Sequence, residues 1–202
     1  MAELRLLCIH CADTNPNFRL TKGHLEQWHM GPLDVRDKDG NKTGEIKYKG
    51  KTYPSRAALP HEYIDMRPIQ ELHGRGWDRL GYSDLIHHNG TIENITPYNT
   101  DDWVDPKEMT WGVGGINSYS RHVCLEGGRD EDNVSKTFKF AQIYSDAQFT
   151  ALTSYINQFL TDHPGDKIAG HYMFSTKPCP NFNLGELFEL AGIDSKHLYK
   201  TK

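Results

Sequence analysis

The stretch RLLCIHCADT, residues 5–14, has the pattern of a buried β-strand that carries potential metal ligands. Its first half is compact and apolar, and in a strand Leu6, Cys8 and His10 share one face. Cys8 and Cys11 have the spacing of a Cys-x-x-Cys motif, but their odd separation places them on opposite faces. Because no second such pair completes a four-thiolate zinc site, we predict that both are core or near-core residues. His10 alone fits either a hydrogen-bonded core residue or a metal ligand.

Composition narrows the possible classes of protein. The chain has 202 residues, a formal net charge of −4, 11 His and 4 Cys. That charge excludes a broadly basic surface for nucleic acid, and no apolar run approaches the roughly 18 residues that span a bilayer. The first eight residues are too short and too acidic for a secretory signal, so we expect reduced thiols. His and reduced Cys together make zinc the first cofactor to consider.

The order of apolar patterns predicts an α/β fold in a single domain, residues 1–202, with a central mixed β-sheet flanked by helices. A hairpin-containing segment, residues 31–75, is inserted after the first helix, with its predicted strands at 45–48 and 51–53. The clearest helix begins at Ser145, which forms a capping box with Gln148. The other predicted helices cover 21–29 and 184–191, and the predicted strands cover 5–10, 82–88, 91–96, 121–125 and 167–170.

A second potential metal segment, GHYMFSTKPCP, lies at residues 170–180. It places His171 eight residues before Cys179, and an imidazole nitrogen with a thiolate suits zinc. Taken alone, this spacing is weak evidence, because an ordinary loop His and a buried Cys would produce it as well.

Several motifs together, in their order along the chain, are more specific than either segment. They resemble the zinc-dependent N-acetylmuramoyl-L-alanine amidases of the phage lysozyme and peptidoglycan recognition protein family, the type 2 amidases. The matching segments are CIHCADT (8–14), LEQWH (25–29), GWDRLGY (76–82), DLI (84–86) with NGT (89–91), VCLEGG (123–128), SDAQ (145–148) and GHYMFSTKPCP (170–180).

The resemblance implies a site. Matched position by position, His10, His171 and Cys179 become the zinc ligands, and Tyr82 and Lys177 become the catalytic residues. Three protein ligands leave one zinc position for water, which is typical of catalytic zinc. Lys177 would then stabilise the oxyanion formed on the amide, and Tyr82 would orient water or transfer a proton. Without the resemblance, the sequence would predict only that Tyr82 is a packed residue of a strand.

Other parts of the sequence depart from the family pattern. Residues 31–75 exceed the expected connection, and they either border the substrate groove or form a surface elaboration or oligomer contact. Near Asn117, where many members carry a substrate-facing His, this chain has none, so we assign Asn117 as a substrate-binding candidate. For His87, His88 and His122 we predict core or solvent-facing roles rather than metal binding.

The predicted function is hydrolysis of the bond between N-acetylmuramic acid and L-alanine in peptidoglycan, by a phage endolysin that uses Zn²⁺. We expect a monomer, made in the host cytoplasm and released by a partner holin, without nucleic-acid binding or membrane insertion. One alternative is a non-catalytic peptidoglycan-binding module, which retention of Cys179, Tyr82 and Lys177 argues against. Another is a second role in binding a phage RNA polymerase.

Overall fold

The computed structural model describes residues 1–60 and 74–200. The chain forms two compact units, which we call the sheet unit (Met1–Leu20 with Gly81–Lys202) and the inserted unit (Thr21–Leu80). The helices are Lys22–Met30 (α1), Phe140–Ile143 (α2), Asp146–Asp162 (α3) and Leu184–Ala191 (α4). The strands are Ala2–Glu3 (β1), Leu6–Cys11 (β2), Leu33–Arg36 (β3), Lys42–Tyr48 (β4), Lys51–Tyr53 (β5), Asp84–Ile86 (β6), Ile92–Asn94 (β7), Trp103–Val104 (β8), Ser120–Leu125 (β9) and Lys167–Gly170 (β10).

A five-stranded mixed sheet is the centre of the sheet unit. Its strand order is β10-β2-β9-β6-β7, with the first four strands parallel and β7 antiparallel to β6. Every residue of β2 and of β9 is buried, as expected for parallel strands that are covered on both faces. The predicted mixed sheet flanked by helices is therefore confirmed.

The two faces of this sheet have different partners. One face packs against the apolar stripes of α3 and α4, where burial of large side chains supplies most of the stabilisation. Its members include Leu7, Ile9, Val123, Leu125, Leu152, Ile156, Phe159, Leu187 and Phe188. On the opposite face, Leu6 and Cys8 pack against Val113 and Ile116 of the loop before β9. That second face also carries His10.

Local sequence signals explain where the helices begin. The Ser145 hydroxyl accepts a hydrogen bond from the backbone N–H of Gln148, and the Gln148 side-chain oxygen accepts one from the backbone N–H of Ser145, which completes the predicted capping box. At α4, Asn183 caps the first turn, and Gly192 ends the helix in a left-handed conformation. Within residues 1–60 and 74–200, no helix has both the length and the apolar character needed to cross a membrane.

The inserted unit contains α1 and a three-stranded antiparallel sheet, ordered β3-β4-β5. The predicted hairpin is confirmed, because β4 and β5 meet at Lys49 and Gly50, which both have positive φ, as a type I′ two-residue turn requires. Strand β3 was not predicted. Residues 61–73 of the predicted insertion lie outside the described residues. The assignment of 1–202 to one domain and the role of 31–75 stay predictions.

Acid is expected to destabilise the inserted unit through His29. This side chain is buried and stacks on Trp77, with ring centroids 5.1 Å apart. Burial of the ring is the main cause that lowers the pKa of His29 to about 3, and repulsion from the Arg75 guanidinium is the smaller cause. As the pH falls, the unfolded chain therefore binds the proton at a higher pH than the folded chain does. The free energy of unfolding decreases as pH drops from about 6.5 towards 3, and the loss at pH 5 is about 2 kcal/mol.

The matched variant is His29→Phe, which keeps an aromatic ring against Trp77 and removes the titration. Urea unfolding at pH 7 and pH 5, in the presence of a chelator, compares the two proteins. We expect the wild type to lose more stability than His29→Phe between these pH values. Equal losses would show that His29 is not the titrating group.

Candidate metal centre and active site

Strand pairing brings two of the predicted ligands together. Strands β10 and β2 are parallel, with Gly170 opposite Ile9, so His171, the first residue after β10, lies level with His10. The centroids of the two imidazole rings are 4.7 Å apart. Both side chains lie towards the carboxyl ends of parallel strands, where α/β proteins commonly bind ligands.

The loop after β10 brings in the third predicted ligand. The backbone N–H of Tyr172 donates to the Cys179 carbonyl (2.8 Å), so the segment between them closes on itself. The Cys179 sulfur accepts a hydrogen bond from the backbone N–H of Cys11 at 3.2 Å and lies 3.9 Å from Nδ1 of His10. The third predicted ligand therefore lies beside the first.

The resulting donor set fits a tetrahedral metal. One ligand atom each from His10, His171 and Cys179 lie within 4.8 Å of one another. Zinc bonds of about 2.0 Å to nitrogen and 2.3 Å to sulfur place tetrahedral donors about 3.3 to 3.6 Å apart, so only a small closure is needed. His10 is buried, whereas His171 and Cys179 are half-buried, which leaves the group accessible on one side.

A second possible group among the described residues shares His10 and consists of Cys8, His10 and His122, all buried. It fits a metal less well. Burial raises the pKa of the Cys8 thiol far above its ordinary value, which disfavours the thiolate. Nε2 of His10 is already hydrogen bonded to Nδ1 of His122 at 2.9 Å. Burial, with repulsion from His171, lowers the pKa of His122 to about 3 and so keeps its ring neutral.

The two predicted catalytic residues lie in different surroundings. The Tyr82 ring is half-buried, with its centroid 5.1 Å from that of His10. Lys177 lies in the loop after β10, two residues before Cys179, and its side chain is exposed. Tyr82 is thus beside a predicted ligand, and the catalytic roles of both residues stay predictions.

The remaining polar candidates have contacts of their own. The side-chain oxygen of Asn117 accepts a hydrogen bond from the Val113 backbone (2.8 Å), which holds the loop before β9. His87 lies 3.1 Å from a carboxylate oxygen of Glu93 and 3.3 Å from one of Glu126. Neither His87 nor His88 is a member of the two possible metal groups found among the described residues. Substrate binding by Asn117 stays a prediction.

The contact between His122 and His10 was not predicted from the sequence. A signal was available, because Ser120, His122 and Cys124 alternate in the same way as Leu6, Cys8 and His10. The two sets of side chains meet on one face of the sheet only if β2 and β9 are adjacent strands. They must also pair in the register that places Cys8 opposite His122. That pairing is a long-range property of the fold, which the alternation does not specify.

Comparison with solved structures defines the class of fold. The amidase LysC from Clostridium intestinale URNW aligns with a TM-score of 0.55 and 14% identity, covering 95% of this chain and 87% of that one. The endolysin of the Thermus scotoductus MAT2119 bacteriophage Ph2119 aligns with a TM-score of 0.52 and 14% identity, covering 95% and 86%. The fold is that of the amidase and peptidoglycan recognition protein class.

No family model matches the chain, but sequence comparison finds relatives among phage endolysins. The chain is 30% identical to the endolysin of Klebsiella phage KP32 over 128 residues, which are 62% of this chain and 76% of that protein. It is 29% identical to the endolysin of Escherichia phage T7 over 136 residues, 66% and 80% of the two chains. The protein belongs to the phage endolysin family, and its predicted resemblance to the type 2 amidases is confirmed.

Proposed function

We propose that this endolysin is a zinc-dependent N-acetylmuramoyl-L-alanine amidase, which hydrolyses the bond between N-acetylmuramic acid and L-alanine in peptidoglycan. The convergence of donor atoms from His10, His171 and Cys179 at the carboxyl end of the parallel strands carries the proposal. The amidase and endolysin names of the structural and sequence relatives support it.

The metal in this proposal is zinc because of its donor chemistry. Two imidazole nitrogens and one thiolate are ligands that zinc prefers, whereas Mg²⁺ and Ca²⁺ prefer oxygen. Three protein donors with one accessible side match the open position of catalytic zinc sites rather than a closed structural site. When bound, zinc activates water for hydrolysis and polarises the amide carbonyl.

The chain's own groups have distinct roles in this proposal. The ammonium of Lys177 stabilises negative charge that develops on the amide oxygen, since an oriented cation strengthens binding of the transition state. The Tyr82 hydroxyl orients the attacking water or carries a proton between water and the leaving amine. The Cys11 N–H donates a hydrogen bond to the Cys179 sulfur and so holds this ligand atom in position.

We propose that the protein accumulates in the host cytoplasm, reaches the wall after a partner holin opens the membrane, and acts as a monomer. A second role in binding the phage RNA polymerase stays a prediction, which a pull-down with the purified polymerase tests.

Purified peptidoglycan tests the reaction. The protein is expected to release new L-alanine amino termini, to lose this activity with a chelator and to recover it when zinc is added back. End-group analysis of the digests is the measurement, and boiled protein is the control. Release of reducing sugars without new L-alanine termini would show a glycosidase and contradict the proposal. Activity that survives complete metal removal would contradict its zinc dependence.

A further inference from the structure

The two nitrogens of the His10 ring face different partners. Nδ1 lies 3.9 Å from the Cys179 sulfur, on the side of the proposed metal. Nε2 lies 2.9 Å from Nδ1 of His122. The contact continues inward, because Nε2 of His122 is 2.8 Å from Oγ of Ser120, and this oxygen is 2.8 Å from the Ile116 carbonyl oxygen. These residues form a buried chain of hydrogen bonds that ends on the backbone.

The backbone carbonyl of Ile116, at the end of this series of hydrogen bonds, fixes the direction of every hydrogen bond in the series. A carbonyl oxygen only accepts, so the proton between Ile116 and Ser120 belongs to the Ser120 hydroxyl. Ser120 then accepts a hydrogen bond from Nε2–H of His122, and an imidazole that carries its proton on Nε2 has its acceptor at Nδ1. His10 must therefore donate from Nε2, which leaves the lone pair on Nδ1.

Packing holds the His122 ring in place for this contact. The side chain is completely buried in the middle of β9, with Cys8 opposite it on β2. Gly112 lies directly against the ring, since a β-carbon at that position would overlap the His122 imidazole. Only glycine fits there without moving the ring. The acceptor that meets His10 is thus fixed by the fold.

We propose that His122 is a positioning residue, which holds His10 in its Nε2–H tautomer and aims Nδ1 at the metal. This inference rests on the proposed function, because it assumes that His10 is a zinc ligand. Metal-binding His residues usually donate their second ring N–H to a carboxylate, a backbone carbonyl or water. In this protein the acceptor for His10 is a second imidazole, that of His122. A hydrogen bond to Ser120 connects this ring to the backbone.

Two variants of similar size test the hydrogen bond. His122→Asn places a side-chain oxygen near the position of Nδ1 and keeps an acceptor for His10, whereas His122→Leu removes the acceptor. Zinc affinity, measured by competition with a chromophoric chelator, is expected to fall 10- to 100-fold in His122→Leu. His122→Asn is expected to retain most of the wild-type affinity. Equal affinities for wild type and His122→Leu, or equal losses in both variants, would overturn the proposal.

A measurement on the unmodified chain keeps the test independent of folding in the variants. Nitrogen-15 NMR of the zinc-loaded protein is expected to show a proton on Nε2 of His10, coupled through the hydrogen bond to Nδ1 of His122. A proton on Nδ1 of His122, or the absence of this coupling, would overturn the proposal.

Cys179→Ser separates this inference from the proposed function. If Cys179→Ser binds zinc as tightly as the wild type, the proposed metal centre is wrong. If Cys179→Ser loses zinc while His122→Leu keeps wild-type affinity, the metal centre stands and only the positioning role of His122 fails.

Discussion

Replacing Cys179 with Ser is expected to abolish zinc binding and amidase activity together. The substitution exchanges the thiolate for a hydroxyl that stays protonated near neutral pH and binds zinc poorly. We expect zinc affinity to fall by more than about 100-fold, since loss of an outer contact to a ligand already costs 10- to 100-fold. Metal content after dialysis and release of L-alanine termini from peptidoglycan measure the two losses.

Cys8→Ala is the matched control for this experiment. Cys8 is a buried thiol that belongs only to the alternative group with His10 and His122. We expect Cys8→Ala to keep both zinc and activity, with some loss of thermal stability from the cavity it creates. The opposite result, with zinc lost from Cys8→Ala and retained by Cys179→Ser, would assign the metal to the alternative group.

Replacing Lys177 with Ala is expected to separate metal binding from turnover. The side chain is exposed and offers a cation but no metal ligand, so zinc affinity should remain at the wild-type level. Loss of one group that stabilises an oxyanion typically lowers kcat by about 10²- to 10³-fold. Steady-state hydrolysis of a soluble muropeptide, together with a zinc titration of each variant, measures both quantities.

A second lysine variant controls for the lost charge. Lys196 is an exposed lysine paired with Asp194, and Lys196→Ala removes the same charge without a predicted catalytic effect. Lys177→Arg should recover part of the lost turnover, because it restores a cation of similar reach. Wild-type kcat in Lys177→Ala would rule out the oxyanion role, and loss of zinc in that variant would indicate a structural role instead.

The elements with strong local signals were predictable from the sequence. The capping box and apolar stripe of α3 encode the helix within one segment, and α4 has the predicted bounds, 184–191. Strand β3 was missed although its sequence, LDVR, alternates apolar and polar residues, because the alternation covers only four positions in a segment rich in charged residues. Its pairing with β4 supplies a stability that the segment itself does not encode.

The candidate site was predictable to a different extent. The order of motifs along the chain identified His10, His171 and Cys179 as a set, and the structure places their ligand atoms together. The contact of His10 with His122 required the register of β2 and β9, which depends on long-range pairing. Sequence patterns therefore identified the proposed ligands but not the neighbour that holds one of them.

Anomalous diffraction at the zinc edge, from crystals of the zinc-loaded protein, tests the proposed metal centre most directly. We expect one strong peak about 2.3 Å from the Cys179 sulfur and about 2.0 Å from Nδ1 of His10 and a ring nitrogen of His171. A peak on the Nε2 side of His10, between Cys8 and His122, would contradict this assignment of the metal centre.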